Sequence, residues 1–332
     1  PETVAFRADL DALPVSECTG LPWASVHPGK MHACGHDGHM AMLLSFSEYI
    51  DTVKELDHNV LLIFQPAEET LGGAEEICKS GIFTKYNVSQ VFGIHLWPFL
   101  SKGVISSRPG AFMPKSAEIN VDINGKAAHG TAPYEGLDAL YITADYVKRT
   151  YADHANMFGA IHRFRDGVGD LTYAPCDIPE ERTLIHFGKM ESGYARNIVS
   201  DYSHLLGTVR AYNEDHFQKI IGILTKNLEE IEKEYHCTTG FSHSDGYPPV
   251  INDKVLYDEI RPVLESLEGG YEEMPLPLMI SEDFSFYGPV YTLIKHGHLG
   301  CALLWALLVL VRLARRGLWW DRRRGTGRRA RA

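Results

Sequence analysis

Residues 59–69, NVLLIFQPAEE, run five consecutive apolar side chains into a proline and a pair of glutamates. A continuous apolar run of this length, closed by a turn residue, fits a strand of a parallel sheet buried on both faces. Upstream, TVAFRADLDALP (residues 3–14) has the same form, and so does QVFGIHLWP (residues 90–98) downstream: apolar run, titratable residue, proline. Between the runs, MAMLLSFSEYIDTVKEL (40–56) and TLGGAEEICKSGIF (70–83) have helical composition. The predicted order is β-α-β-α-β, an α/β domain with a parallel-rich sheet and right-handed crossovers. Ligands of such sheets gather at the carboxyl ends of the strands.

From Ser116 the pattern changes. SAEINVDING (116–125) alternates as a half-buried strand does, and GLDALYITADYVKRTYAD (136–153) is helical in composition. Two further strand-like segments (182–191 and 201–212), a helix (214–236) and a last strand (238–245) follow. That order, β-α-β-β-α-β, is the ferredoxin-like split. An α+β insert over 113–245 therefore interrupts an α/β domain formed by 1–112 and 246–288, with GYPPVIND (246–253) leading back. Residues 289–332 form a tail.

Composition narrows the function. With 332 residues, 45% hydrophobic and 23% charged, the chain is long enough for two domains. A net charge of −11 argues against a nucleic-acid partner, which requires a basic excess. The six cysteines are scattered without a C-x-x-C pair, so they offer no disulfide framework and suit a reducing cytoplasm. The chain opens PETVAFRADL, without a secretory signal and directly on a strand-like run, so further residues are expected upstream.

Four clusters fall at or near predicted strand ends: Asp9 and Asp11; Cys34, His36, Asp37 and His39 in CGHDGH; Glu68 and Glu69; and His95. Thiolate and imidazole beside carboxylates suit zinc, manganese or a related divalent ion. If Glu69 binds metal, Glu68 lies beside the attacking water as a general base. Each cluster alone has a plain explanation: a packed loop, a solvated acidic pair, a core histidine. Three on one edge of one sheet are hard to dismiss together. A cysteine nucleophile at Cys34 is the rival chemistry, but it has no use for paired glutamates. In the insert, His129 of NGKAAHGTAP is either a surface histidine or, if the insert closes over the metal edge, a donor to an oxyanion. Asn197 and Arg210 are candidate holders of a substrate carboxylate, although the sequence alone favours a structural role for both.

FRADLDALP, HPGKMHACGHDGHMAMLL, LIFQPAEE, GIHLWP, INGKAAHGTAP, GYPPVIND and SEDFSFYG together resemble the M20 metallopeptidase family, specifically its amidohydrolase branch. These ordered motifs span residues 3 to 288. The resemblance implies a zinc-peptidase-like catalytic domain and an inserted ferredoxin-like lid that often forms a homodimer. It also implies two divalent ions, manganese or zinc, with cobalt or nickel as alternatives. By the same resemblance Cys34, His36, Glu69 and His95 are metal ligands, Glu68 is the general base, His129 stabilises the oxyanion, and Asp11 orients a ligand. The implied reaction cleaves the amide of an N-acyl amino acid, N-acetyl or benzoyl for instance, to a carboxylic acid and an amino acid.

Two departures stand out. The family has a helical segment before the first strand read here, and its last metal ligand is a histidine well beyond SEDF. His296 and His298 follow that motif too soon to serve. A non-catalytic metal-binding or dimer-forming relative, lacking that ligand, is therefore the alternative function. From Pro289 onward ten Lys/Arg face one acidic residue. Leu299–Val311 is too short an apolar run to span a membrane but suits an interfacial anchor. A shifted reading frame explains this tail better, because it interrupts an unfinished domain; no membrane partner is expected unless the tail is genuine.

Overall fold

The computed structural model describes residues 1–70, 72–98, 100–159, 163–165, 168–170, 181–267, 269–288 and 300–305, the side chains of 163–165, 168–170 and 300–305 excepted. It divides into two units, the first comprising 1–112, 250–275 and 282–332, the second 113–249 and 276–281.

In the first unit the apolar runs become β1 (Thr3–Asp9), β2 (Asn59–Gln65) and β3 (Val88–His95), with α1 (His36–Asp51) before β2 and two short helices, α2 (Gly73–Lys79) and α3 (Ile82–Lys85), before β3. β1 lies between the other two and pairs parallel with both. All seven of its residues are buried, Arg7 and Asp9 included. β2 departs from the expectation of burial on both faces. It closes one edge of the sheet, and Phe64 on it is 37% exposed.

The α1 helix also differs from the 40–56 segment read in the sequence. It begins at His36, inside CGHDGH, because Gly35 takes the left-handed conformation (φ 89°) that turns the chain into the first helical turn. It ends at Asp51, where the Thr52 hydroxyl takes the Tyr49 carbonyl and two β-branched residues follow. Leu43 and Phe46 of α1 pack on Val4, Phe6 and Phe92 of the sheet.

Two further strands, β4 (Ile105–Ser107) and β5 (Gly110–Met113), lead into the second unit. There β6 (Lys115–Asn124) is followed by α4 (Ala139–Phe158), a short pair β7 (Arg163–Arg165) and β8 (Val168–Asp170), then β9 (Thr183–Ser192), β10 (Tyr202–Ala211), α5 (Glu214–Tyr235) and β11 (Thr238–His243). The sheet is antiparallel, in the order β11-β6-β10-β9. Side-chain caps fix both helix starts: Asp138 accepts from Leu140 and Tyr141 N–H, and Asn213 from His216 N–H. Ile119, Val121 and Ile123 alternate inward against Ile142, Tyr146, Ile220 and Leu224 of the helices.

The first unit resumes with β12 (Val250–Asn252), α6 (Lys254–Glu265) and β13 (Tyr271–Glu273). Residues 300–305, read in the sequence as part of the tail, form β14, parallel to β3 and seated between it and β4. The six-stranded sheet β13-β4-β14-β3-β1-β2 is thus mixed but mainly parallel. His296, His298 and residues 306–332, including the rest of the expected anchor, lie outside the described residues. Among the described residues no helix is long and apolar enough to cross a membrane.

Candidate metal centre

Parallel pairing of β1 with β2 and β3 puts three strand ends on one edge of the sheet. Asp9 pairs with Gln65 at the last position of β1 and β2, and β3 finishes at His95. Beyond those ends stand Asp11, Glu68 and Glu69, and the first turn of α1 brings His36 and His39 to the same place. The turn after β2 is tight. Ala67 is held at φ 63°, a strained conformation for a residue with a Cβ, and its carbonyl accepts the Gly72 and Gly73 N–H groups. A Cβ on Gly73 would lie 1.9 Å from the Pro66 carbonyl oxygen, so this return admits glycine alone.

Around His36, which is 1% exposed, the donors converge. Its Nε2 lies 3.7 Å from Asp9 Oδ2 and 3.9 Å from Glu69 Oε1, and its Nδ1 lies 3.3 Å from Asp11 Oδ1. Asp11 Oδ2 accepts the Glu69 N–H at 2.9 Å, tying the strand ends together. Cys34 Sγ is 3.5 Å from His95 Nε2. Cys34, His36 and His95 offer atoms within 4.8 Å of one another, and so do His36, Glu68 and Glu69.

Behind these donors lies a network that sequence reading missed. Arg7, fully buried, donates to Gln65 (2.8 Å), Asp9 (2.7 Å), Glu282 (2.8 Å) and Asp283 (2.8 Å). Gln65 in turn donates to Asp283 and accepts from the Tyr287 hydroxyl. An arginine inside an apolar strand and the acidic pair of SEDF were the available signals. Neither identifies its partner, because they lie 275 residues apart.

The charge balance explains how the groups titrate. One guanidinium faces three carboxylates here, with Glu68 and Glu69 close by. Burial, with the charge of Glu282 next, pushes the Glu68 carboxyl up to about 10, and burial pushes Glu282 to about 8 against the pull of Arg7. Burial opposes ionisation of Asp9 too, but Arg7 and then His39 hold it well below the usual carboxylate range. Desolvation and the neighbouring His39 drop His95 to about 3, whereas burial and the charge of Glu69 lift the Cys34 thiol to about 12. Both nitrogens of His36, Asp11 Oδ1 and Glu69 Oε1 are buried without a hydrogen-bond partner among the described residues. Orphaned buried donors cost about 1–3 kcal/mol each unless something else satisfies them. Divalent cations fit: they offset the carboxylate excess, and sulfur, imidazole and carboxylate together are a transition-metal or zinc set.

The remaining residues singled out in the sequence lie in the second unit. His129 and Asn197 are exposed and neighbouring: His129 bridges Ile198, the Gly130 N–H donates to the Asn197 carbonyl at 2.7 Å, and His129 Nδ1 bonds the Thr131 hydroxyl at 2.8 Å. Arg210 is not with them. It sits at the other end of β10, eight residues or about 26 Å of strand away from Tyr202, and donates to the Met279 carbonyl at 2.8 Å.

Comparison with known proteins identifies the family. The chain matches the peptidase family M20/M25/M40 over residues 5–302, a span that runs past Tyr287 into β14. It is 33% identical over 296 residues to an uncharacterized hydrolase of Staphylococcus epidermidis, and 32% identical over 292 residues to one of Staphylococcus aureus. Each alignment takes in 86% of this chain and 70% of the relative. Among solved structures, a candidate aminohydrolase from methicillin-resistant S. aureus superposes with a TM-score of 0.76 at 26% identity, over 92% of this chain and 73% of the other. A Bacillus subtilis protein described as a dinuclear metal-binding peptidase of the M20 family shares the fold, with a TM-score of 0.70 at 24% identity over 92% and 72%. By profile, relatives and fold alike, the chain belongs to peptidase family M20/M25/M40 and is a hydrolase.

Proposed function

We propose that the protein is a metal-dependent amidohydrolase that cleaves N-acyl amino acids at a centre of two divalent ions, manganese or zinc. The observation that carries this reading is the convergence of Cys34, His36, Glu69 and His95, with buried atoms of His36 and Glu69 that have no hydrogen-bond partner among the described residues. Those four residues would hold the metal, with Asp11 steering His36 and the Glu69 backbone. Bound there, divalent ions would acidify water and polarise the amide carbonyl. Glu68, buried beside the donors, would be drawn back down from its raised value by bound cations, and as a carboxylate it would take a proton from the attacking water and deliver it to the leaving amine. Kinship with a dinuclear metal-binding peptidase supports the two-ion count. The amidohydrolase-type motifs support the acyl substrate.

In this reading the second unit, which contains the expected insert 113–245, is a lid and dimerisation domain, and the first unit is the catalytic domain expected at 1–112 and 246–288. His129 presents an oxyanion donor and Asn197, on the adjoining loop, a substrate contact; the tether of Arg210 to Met279 leaves it a weaker candidate for that task. The protein acts in the cytoplasm.

The test is to load the purified protein with manganese or zinc, measure bound metal, and follow hydrolysis of N-acetyl-methionine and hippurate. Glu68→Gln should keep the metal and lose turnover. Bound metal with no hydrolysis of either amide would favour a non-catalytic metal-binding relative. Activity that survives chelation but not Cys34→Ser would establish a cysteine nucleophile instead.

A further inference from the structure

His39 lies among the donors yet has no role in the chemistry above. It is three residues after His36 on the first turn of α1 and 2% exposed. Its Nδ1 bonds Asp9 Oδ1, and its Nε2 accepts the Leu96 N–H at 2.8 Å. An amide N–H only donates, so Nε2 carries the lone pair and Nδ1 the proton. Leu96 then faces the other way: its carbonyl takes the Nδ1–H of His95 at 2.6 Å, and His95 Nε2 is directed toward Cys34 Sγ at 3.5 Å. Asp9, the origin of this chain of bonds, is itself pinned through Oδ2 by Arg7 at 2.7 Å. Packing presses on the same residue. A Cβ on Gly38 would lie 2.7 Å from Leu96 Cδ1, and one on Gly35 3.2 Å, so the two glycines of CGHDGH let Leu96 sit directly against the helix start.

We propose that His39 is a positioning residue rather than a ligand: anchored by Asp9 and Arg7, it holds Leu96 and thereby sets the tautomer and direction of His95. The inference rests on the reading of Cys34, His36, Glu69 and His95 as metal donors. Distance alone would allow a different assignment, since Asp9, His36 and His39 also offer atoms within 4.8 Å of one another. The ring nitrogens separate the two histidines. Those of His36 have no hydrogen-bond partner among the described residues, whereas both nitrogens of His39 are engaged, one as donor and one as acceptor. Histidines that ligate metal commonly give their second N–H to a carbonyl or carboxylate, and His95 meets that pattern through Leu96 only while Leu96 is held.

The test uses the full chain, nitrogen-labelled on histidine and on backbone amides and loaded with an NMR-active cadmium isotope. Cadmium–nitrogen scalar coupling is expected on His36 and His95 and absent from His39. His39 Nε2 should instead couple across the hydrogen bond to the Leu96 amide nitrogen. Coupling of cadmium to His39 would overturn this inference and leave the metal-centre reading standing; no coupling to His36 or His95 would overturn both. Two variants add a readout that a merely structural role would not move. Glutamine at position 39 keeps an acceptor near the place of Nε2, whereas asparagine is too short to reach Leu96. His39→Asn should weaken cadmium binding about 10–100-fold, the range found when outer-shell partners are removed. His39→Gln should recover most of that loss. Equal losses in both variants, or none in His39→Asn, would refute the positioning role.

Discussion

Arg7 provides the sharpest test of how the acid-rich centre is held. Methionine at this position keeps most of the side-chain volume but removes the guanidinium, which makes hydrogen bonds to four residues and has no solvent exposure. Asp9 and Asp283 are equally inaccessible and Glu282 nearly so, at 4%. Asp9, held ionised by Arg7, would lose its cation with no water to replace it, and Glu282, already raised to about 8, would lose the pull that opposes its protonation. Breaking a buried ion pair from one side costs about 3–5 kcal/mol, far more than the pair's net contribution, because uncompensated charge stays behind. All five tryptophans (Trp23, Trp97, Trp305, Trp319 and Trp320) fall in the segments of the first unit and the second unit contains none, so tryptophan fluorescence in urea follows the relevant unit. With a slope of about 2–3 kcal/mol per molar urea, Arg7→Met should lower the fluorescence midpoint by about 1–2 M. Adding Glu282→Gln and Asp283→Asn should restore part of that loss, since neutral amides no longer need the cation. A midpoint within about 0.3 M of the parent would refute the reasoning, and would mean that Asp9 does not depend on the guanidinium for its charge.

Further outcomes follow from other parts of the molecule. Gly73→Ala should displace the turn carrying Glu68 and Glu69, since its Cβ would fall 1.9 Å from the Pro66 carbonyl; metal bound per chain should drop, read by elemental analysis. Cys34→Ser should weaken zinc binding while leaving the far-ultraviolet circular dichroism unchanged, because Cys34 is only partly buried and its thiol faces the other candidate ligands, His95 Nε2 at 3.5 Å among them. Asn213→Ala removes the cap on α5 and should cost about 1 kcal/mol, measured on the second unit by circular dichroism in urea. Glu214→Gln, which breaks an exposed pair with Lys115 at 2.8 Å, should change stability by less than about 1 kcal/mol in the same assay.

What could be read in advance depended on whether the determining contacts were local. Apolar runs ending in titratable residues identified β1 and β3 because their burial is continuous. The same pattern in β2 gave no warning that it closes the sheet edge, since strand order is a tertiary property absent from periodicity. The helix start was misplaced for a local reason. Glycines in CGHDGH argue for a loop, yet Gly35 supplies the left-handed turn that lets α1 begin at His36 and puts His36 and His39 on one face. Cys34, His36, Glu69 and His95 could be singled out by residue type near strand ends and the helix entry, and the fold brings them close together. Arg7 was invisible, because its meaning lies in Glu282 and Asp283 at the far end of the chain.

The division of labour along this edge follows from which acids have a cation built in. Asp9, Glu282 and Asp283 face Arg7, so their positions are set by the fold whether or not metal is bound. Asp11, Glu69 and His36 retain buried atoms that have no hydrogen-bond partner among the described residues, so a bound cation would meet a demand the arginine network does not. Asp9 joins the two halves: one oxygen belongs to the permanent arginine network, the other to His39, and His36 stands 3.7 Å away. A centre built in this way has its donors aimed before any ion arrives, so little reorganisation is charged against binding. That arrangement also accounts for an arginine in the middle of a fully buried strand, where its own desolvation would otherwise disfavour it. The guanidinium offsets enough negative charge for the strand ends to pack together, and the carboxylates it leaves uncompensated are what the proposed divalent ion would balance.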